Sequence, residues 1–224
     1  MRIVLFGAAG PTGRLVLDEA LKRGFMVTAA VRNPDSLQIE DPHLRIVKCD
    51  VYDAGRVEQA IANQDAVIST YGVPYSFKPI TAFSTGMANI IQGMKKNGVK
   101  RLICVTSGGT KPGNDENGGF VFNVIIKGII GRTLYADMRF MEQEVMDSEL
   151  DWTIVRPSRL IDAPALSSYR VTEGYPREPI TRRIDLAHVL IEGVSDNQLI
   201  GKGIGVVSDK VANDLQKEPE SVRK

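Results

Sequence analysis

The stretch Gly7-Ala8-Ala9-Gly10-Pro11-Thr12-Gly13, directly after the apolar run Ile3-Val4-Leu5-Phe6, constrains this chain more than any other feature. An apolar run that stops at once in a glycine-rich turn predicts a buried first strand bending sharply into a helix that begins near Pro11. Glycine suits a tight turn, a backbone that must approach a diphosphate without a Cβ in the way, and a helix lying close on its strand. Proline fits a first helical position, where its missing N–H would be unpaired in any case. The other N–H groups there, with the positive end of the helix dipole, make an anion site. The spacing is G-x-x-G-x-x-G rather than G-x-G-x-x-G, and a turn that only packs a helix on a sheet would share it. Context separates the two readings. Leu15, Val16, Ala20 and Leu21 recur at helical spacing, and Val27-Thr28-Ala29-Ala30-Val31 follows as a second strand, which completes a βαβ unit. Gly7, Gly10, Pro11, Thr12 and Gly13 are therefore expected to cradle a dinucleotide.

The second strand ends in Val31-Arg32-Asn33-Pro34. A carboxylate at that place would accept from the adenosine ribose of NAD, whereas a guanidinium forms charge-assisted bonds with the 2′-phosphate of NADP, so Arg32 points to NADP(H). Residues 44–49 read as a third strand that runs into Asp50 and Val51. Asp50 there either accepts from the adenine amino group or caps a helix over 54–62. Asp65 to Thr70 is nearly all apolar, as a parallel strand covered on both faces should be. It opens into Tyr71-Gly72-Val73-Pro74 at the carboxyl edge of the sheet, where ligands bind in such folds, and this adds Thr70, Tyr71 and Gly72 to the expected cofactor contacts.

A helix over 81–97 should stop at Gly98. The fifth strand, Arg101 to Ser107, ends in the hydroxyl pair Thr106 and Ser107. The polar segment 108–119 reads as a mobile loop able to fold over a substrate. Residues 120–130 are strongly apolar and read as a buried helix or a partner surface. Leu134, Met138, Met141 and Val145 mark an amphipathic helix over 132–148, and Asp151 to Pro157 is the sixth strand, ended by Pro157. Short strands near 169–172, a helix over 185–194 and a strand over 203–207 should fold over the carboxyl edge. Beyond Asp209 the chain is charged and poor in apolar residues, which predicts a frayed tail. Residues 1–208 then form one domain and 209–224 the tail.

Composition excludes several classes. The chain has 224 residues, 43% apolar and 25% charged, with a net charge of +1, so nothing steers it as a whole to nucleic acid or an anionic membrane. No run approaches a membrane span. The two cysteines, Cys49 and Cys104, suit neither a zinc site nor a disulfide scaffold and read as small core residues in a cytoplasmic protein. No metal-ligand spacing and no G-x-S-x-G elbow occurs. His43 and His188 lie away from the strand ends.

The glycine turn at 7–13, Val31-Arg32-Asn33-Pro34, the Thr106-Ser107 strand end and Asp151 to Pro157 together resemble the atypical short-chain dehydrogenase/reductases. Within them, the flavin reductase and biliverdin reductase B type, an NmrA-like group, is the nearest likeness, and the stretches 162–172 and 183–187 are similar as well. The resemblance implies an α/β fold: a single Rossmann-like, doubly wound parallel sheet with a small C-terminal region on the substrate side. NADPH would lie across the strand ends, with Thr106 and Pro157 beside it. Hydride would pass to a conjugated acceptor, and Ser107 matches the family's serine next to the nicotinamide and the substrate. Where family members carry histidine after the sixth strand, this chain has Ser158-Arg159, and Arg159 would suit an anionic substrate, hold the cofactor or face solvent.

Most short-chain dehydrogenases use Tyr-x-x-x-Lys, in which the lysine makes the phenol a better acid. This chain has Tyr135-Ala136-Asp137-Met138-Arg139. Arginine cannot titrate usefully, so the pair reads as a solvated helix face. Alcohol–ketone chemistry is then disfavoured, and hydride transfer to flavins, quinones or tetrapyrroles stays open. An NmrA-type cofactor-binding regulator without turnover and an epimerase-like enzyme with tightly held NAD(P) are the alternatives. The expected partner is a small conjugated acceptor, with no nucleic acid and no membrane, and a monomer is the default.

Overall fold

The computed structural model describes residues 1–76, 78–113, 125 and 131–209. Its centre is β1 (Arg2–Phe6), where side chains alternate across the sheet: Ile3 and Leu5 enter one core, Val4 and Phe6 the other. A strand buried on both faces must be apolar throughout, which is why the run is uninterrupted. Parallel strands β2 (Met26–Val31) and β3 (Leu44–Lys48) extend the sheet on one side of β1, and β4 (Ala66–Ser69), β5 (Arg101–Val105) and β6 (Asp151–Pro157) on the other. Beyond β6, β10 (Lys202–Val207) adds parallel to it and β8 (Arg170–Glu173) closes that edge antiparallel, so these two strands extend the sheet instead of folding over its carboxyl edge, and among the described residues the sheet has eight strands in the order β3-β2-β1-β4-β5-β6-β10-β8. The chain reverses its direction of travel between β1 and β4, and the crevice beyond their carboxyl ends is where a doubly wound sheet takes its ligand.

Helices α1 (Pro11–Lys22) and α5 (Arg183–Ser195) cover one face, and α2 (Ala54–Ile61), α3 (Ala82–Asn97) and α4 (Arg132–Met146) the other. The expected stripe of α4 is buried at Leu134, Met138, Met141 and Val145. Gly98 ends α3 in the left-handed region at φ 68°. No helix among the described residues is long and apolar enough to cross a membrane.

Two further expectations change. The C-terminal region contains β7 (Arg159–Ile161) and β9 (Ile180–Arg182), which pair in a small parallel sheet of their own; three-residue strands are too short to show a period. The polar segment after β5 does not begin as a mobile loop: Gly108–Thr110 forms a buried 3-10 turn. Its polar groups are satisfied inside the protein, so polarity there does not mean exposure. The readings of residues 114–119, of the apolar segment 120–130 apart from Ile125, and of the tail from 210 onward lie outside the described residues.

Candidate cofactor and acceptor site

The three glycines of the first turn do different work. Gly7 has φ 87°, and a Cβ on it would stand 2.4 Å from the Tyr71 backbone nitrogen. A Cβ on Gly13 would stand 2.1 Å from the Gly7 carbonyl oxygen. Both are therefore required by packing, Gly7 against the end of β4 and Gly13 against the turn itself. Gly10 is not: its Cβ would meet only the Gly7 oxygen, at 3.4 Å. The space above Gly10 is what remains for a ligand.

Helix α1 opens onto that space with Pro11 in its first turn, no side-chain cap and no acidic residue in that turn. Its leading N–H groups, those of Thr12 and Gly13, thus face the edge with the dipole's positive end and no carboxylate to neutralise it. Such a start fits a diphosphate. Arg14, which the sequence reading passed over, braces the cradle: its Nε donates to the Ala9 carbonyl at 3.1 Å and its Nη2 to the Ser36 carbonyl at 2.5 Å. The turn after β2 is thereby tied to the glycine loop. Within that turn Asn33 accepts from the Asp35 N–H. Arg32 is exposed and forms no ion pair among the described residues, so its guanidinium is available beside the turn.

At the end of β3 the two roles weighed for Asp50 separate. The cap of α2 is Asp53, which accepts from the Arg56 N–H at 3.0 Å, whereas Asp50 accepts from the Tyr52 N–H at 3.1 Å. Val51 turns its side chain onto Gly86 of α3 and gives its carbonyl to Asn89. Thr70 donates from Oγ1 to the Phe6 carbonyl at 3.2 Å, which holds the ends of β1 and β4 together beneath the cradle. Tyr71 contributes its backbone to the crevice, but its side chain points inward, stacked on Phe83, with its hydroxyl 3.0 Å from the Phe83 carbonyl. Burial pushes this phenol well above its usual pKa. Gly72 is exposed with open space around it.

The hydroxyl pair at the end of β5 divides. Thr106 is buried and donates to Glu142 Oε1 at 2.6 Å, so its side chain belongs to the interior and only its backbone is left for a cofactor. Ser107 is half-buried, and its Oγ accepts from the Gly109 N–H at 3.1 Å, which leaves its own proton to donate. Pro157 is buried at the end of β6, and its carbonyl lies 3.3 Å from where a Gly108 Cβ would be.

The solvated-face reading of the Tyr135–Arg139 pair is corrected for Tyr135. Arg139 is exposed, but Tyr135 is buried against Gly109, where a Cβ would come within 2.4 Å of its ring. Its hydroxyl lies 3.1 Å from that of Tyr75, on the loop between β4 and α3. Tyr75 carried no sequence signal. Arg159 is exposed at the start of β7 and forms no ion pair among the described residues.

The cysteines are free and buried, and desolvation pushes the Cys49 thiol up to about 11 and the Cys104 thiol higher. His188 accepts or donates at Nδ1 to the Tyr169 hydroxyl at 2.8 Å, away from the glycine cradle. Among the described residues no group of three or more His, Cys, Asp and Glu could hold a metal.

An uncharacterized chloroplastic protein of Arabidopsis thaliana is 29% identical over 174 residues, 73% of this chain and 60% of its own length, so the chain spans about three fifths of that relative. A uronate dehydrogenase of Pseudomonas putida is 31% identical over 112 residues, 49% of this chain and 41% of that one. A wide-type short-chain dehydrogenase/reductase of Veillonella parvula, solved in complex with NADP, superposes with a TM-score of 0.75 at 18% identity, covering 95% of this chain and 97% of that one, which shows the shared fold. The model of the NAD(P)H-binding family matches residues 7–197. That match takes in the glycine turn and the open start of α1, and the chain belongs to the NAD(P)H-binding family.

Proposed function

We propose that this protein is an NADPH-dependent reductase of the flavin reductase and biliverdin reductase B type, acting on a conjugated acceptor such as a flavin, quinone or tetrapyrrole. The observation that carries this reading is the split of the Tyr135–Arg139 pair. The phenol is buried with its hydroxyl on Tyr75 while the cation one turn on is exposed, so the lysine-tuned acid of a carbonyl reductase is not reproduced. A conjugated acceptor takes hydride at carbon or nitrogen and collects its proton from water, and needs no such acid.

Thr12 and Gly13 hold the diphosphate by backbone N–H groups, and Gly10, whose own N–H donates to the Gly7 carbonyl at 3.0 Å, leaves the space for it. Arg32 pairs with the 2′-phosphate, a charge-assisted contact that contributes about 1.5–3 kcal/mol, hence a preference for NADPH over NADH of about tenfold or more. The bound nicotinamide supplies the hydride. Ser107 donates its free proton to an acceptor oxygen and orients it, and Arg159 favours an acceptor that carries negative charge.

The test is NADPH oxidation against a panel of flavin, quinone, tetrapyrrole and simple carbonyl acceptors, in wild type, Ser107→Ala and Tyr135→Phe. Ser107→Ala should lower turnover and Tyr135→Phe should change it little. Loss of activity in Tyr135→Phe alone would restore the carbonyl-reductase mechanism, and no turnover with any acceptor would favour a cofactor-binding regulator. Equal affinity of the wild type for NADPH and NADH would refute the role of Arg32.

A further inference from the structure

Beneath Ser107 lies a buried ion pair that the reaction above does not use. Glu142 of α4 and Arg156 of β6 meet side-on, Nε to Oε1 at 3.1 Å and Nη2 to Oε2 at 2.9 Å, with both side chains almost wholly out of solvent. Burial works against the Arg156 charge, and the bonds to Glu142 outweigh it and hold the guanidinium pKa above its usual value. The pair is the meeting point of three segments. Thr106 and Thr110, on either side of Ser107, both reach Glu142 Oε1, at 2.6 and 3.0 Å. Thr110 Oγ1 also lies 2.8 Å from the Ser107 carbonyl, so its single proton is shared between that carbonyl and the carboxylate. Arg156 immediately precedes Pro157. Its Nη1 donates to the Gly174 carbonyl at 3.3 Å, and its guanidinium sits 4.6 Å from the centroid of the Tyr175 ring. Next in the chain, Pro176 rests on Gly108 and Gly205, close enough that a Cβ on either glycine would come within 2.8 Å of it.

A pair needed only for stability has a simpler substitute. Replacing a buried ion pair by apolar residues of similar volume is often neutral or stabilising. What apolar residues do not supply is directional bonds to the turn that carries Ser107. We propose that Glu142 and Arg156 are positioning residues: through Thr106 and Thr110 they fix the Ser107 turn, and through Gly174 and Tyr175 they set that turn against the C-terminal region that faces the acceptor. This rests on the reading of Ser107 as the residue beside the nicotinamide and the acceptor.

Thr110 isolates the effect, because it is fully buried and its hydroxyl reaches the Ser107 carbonyl and Glu142. Thr110→Val keeps the shape and removes the hydroxyl, and Thr110→Ser keeps the hydroxyl. Titration with ADP-ribose reads the cradle, the emission of bound NADPH reads the surroundings of the nicotinamide, and steady-state rates read the acceptor step. Thr110→Val should bind ADP-ribose as wild type does, lose most of the change in NADPH emission that accompanies binding, and turn over about ten- to a hundredfold more slowly with little change in KM. Thr110→Ser should restore both readouts. A second variant, Glu142→Leu with Arg156→Met, should melt near or above wild type and show the same losses. Wild-type emission and turnover in either Thr110→Val or the double variant would overturn the proposal, as would a Thr110→Ser protein as impaired as Thr110→Val. Absence of turnover in wild type itself would count against the reductase reading, and the emission comparison would still decide this one.

Discussion

Two helices begin at the same edge of the sheet, after the neighbouring strands β1 and β4, and their first turns are treated in opposite ways. Helix α1 has no side-chain cap and no acidic residue in its first turn. Helix α3 likewise has no side-chain cap from Thr81, but α4 supplies one from across the packing interface: buried Asp137 accepts from the Phe83 N–H at 2.8 Å, from the Ser84 N–H at 3.3 Å and from the Ser84 hydroxyl. A buried N–H without a partner is costly, so the fold closes the one start with its own carboxylate. The other is left for an anion that the chain does not carry. The contrast supports the proposed placement of the diphosphate at α1 and makes α3 a structural element.

The largest effect expected from disturbing this contrast is at Gly13. A valine there would put its Cβ within 2.1 Å of the Gly7 oxygen and 2.8 Å of the Gly7 carbon, both backbone atoms that cannot rotate away. Gly13→Val should cost more than about 4 kcal/mol, an exceptional loss for one substitution that overpacking against fixed backbone can reach. Urea unfolding would measure it, and a variant of wild-type stability would mean that the turn is looser than described.

Emptying the closed start should come next. Asp137→Ala removes three bonds to a buried carboxylate and leaves the Phe83 and Ser84 N–H groups unpaired, at a cost of about 2–4 kcal/mol. Asp137→Asn, which keeps one acceptor oxygen, should cost less. If both variants unfold at the same denaturant concentration as wild type, the cross-helix cap contributes nothing and the comparison fails on its closed side.

The smallest effect lies at the amino ends of the central strands β1 and β4, where Asp65 accepts from the Arg2 N–H at 2.7 Å and pairs with the Arg2 guanidinium at 3.2 Å. The backbone bond from Arg2, with the guanidinium, holds the Asp65 pKa below its usual value. A carboxyl whose pKa is depressed by folding contributes stability above its unfolded value, about 3.9, and loses it as pH falls through the folded value. Both side chains are largely exposed, so Asp65→Asn should cost under about 1 kcal/mol at neutral pH. The difference from wild type should shrink as the pH falls toward the folded value, as paired unfolding curves at pH 7 and pH 3 would show.

The cofactor half of the fold was legible because its signals are local. An apolar run, three glycines and a proline define β1 and the start of α1 within a dozen residues, and Gly98 marks the end of α3 by its left-handed backbone. The acceptor half was not, because its order depends on polar groups that satisfy one another across long separations in sequence. On α4 the buried face includes Tyr135, Asp137 and Glu142 beside the apolar stripe. Hydrophobic periodicity reads such residues as solvent-facing, and their partners Tyr75, Ser84 and Arg156 lie on other elements. The same reason hid the division of Thr106 from Ser107: the pattern shows two hydroxyls at a strand end, and only the carboxylate of Glu142 decides which one turns inward. Arg14 was missed although it directly follows Gly13, because its bonds go to backbone carbonyls, which sequence spacing does not reveal.

The most direct test of the open start is Gly10→Val. The backbone there is extended, with φ −73° and ψ 163°, a conformation that valine adopts readily, and apart from its chain neighbours a Cβ there meets only the Gly7 oxygen, at 3.4 Å. The fold should therefore survive, with an unchanged circular dichroism spectrum. The side chain would stand where the diphosphate must approach the N–H groups of α1. Calorimetric titration should show NADPH binding weakened by at least about a hundredfold, close to 3 kcal/mol. A Gly10→Val protein that folds and binds NADPH as tightly as wild type would contradict the account.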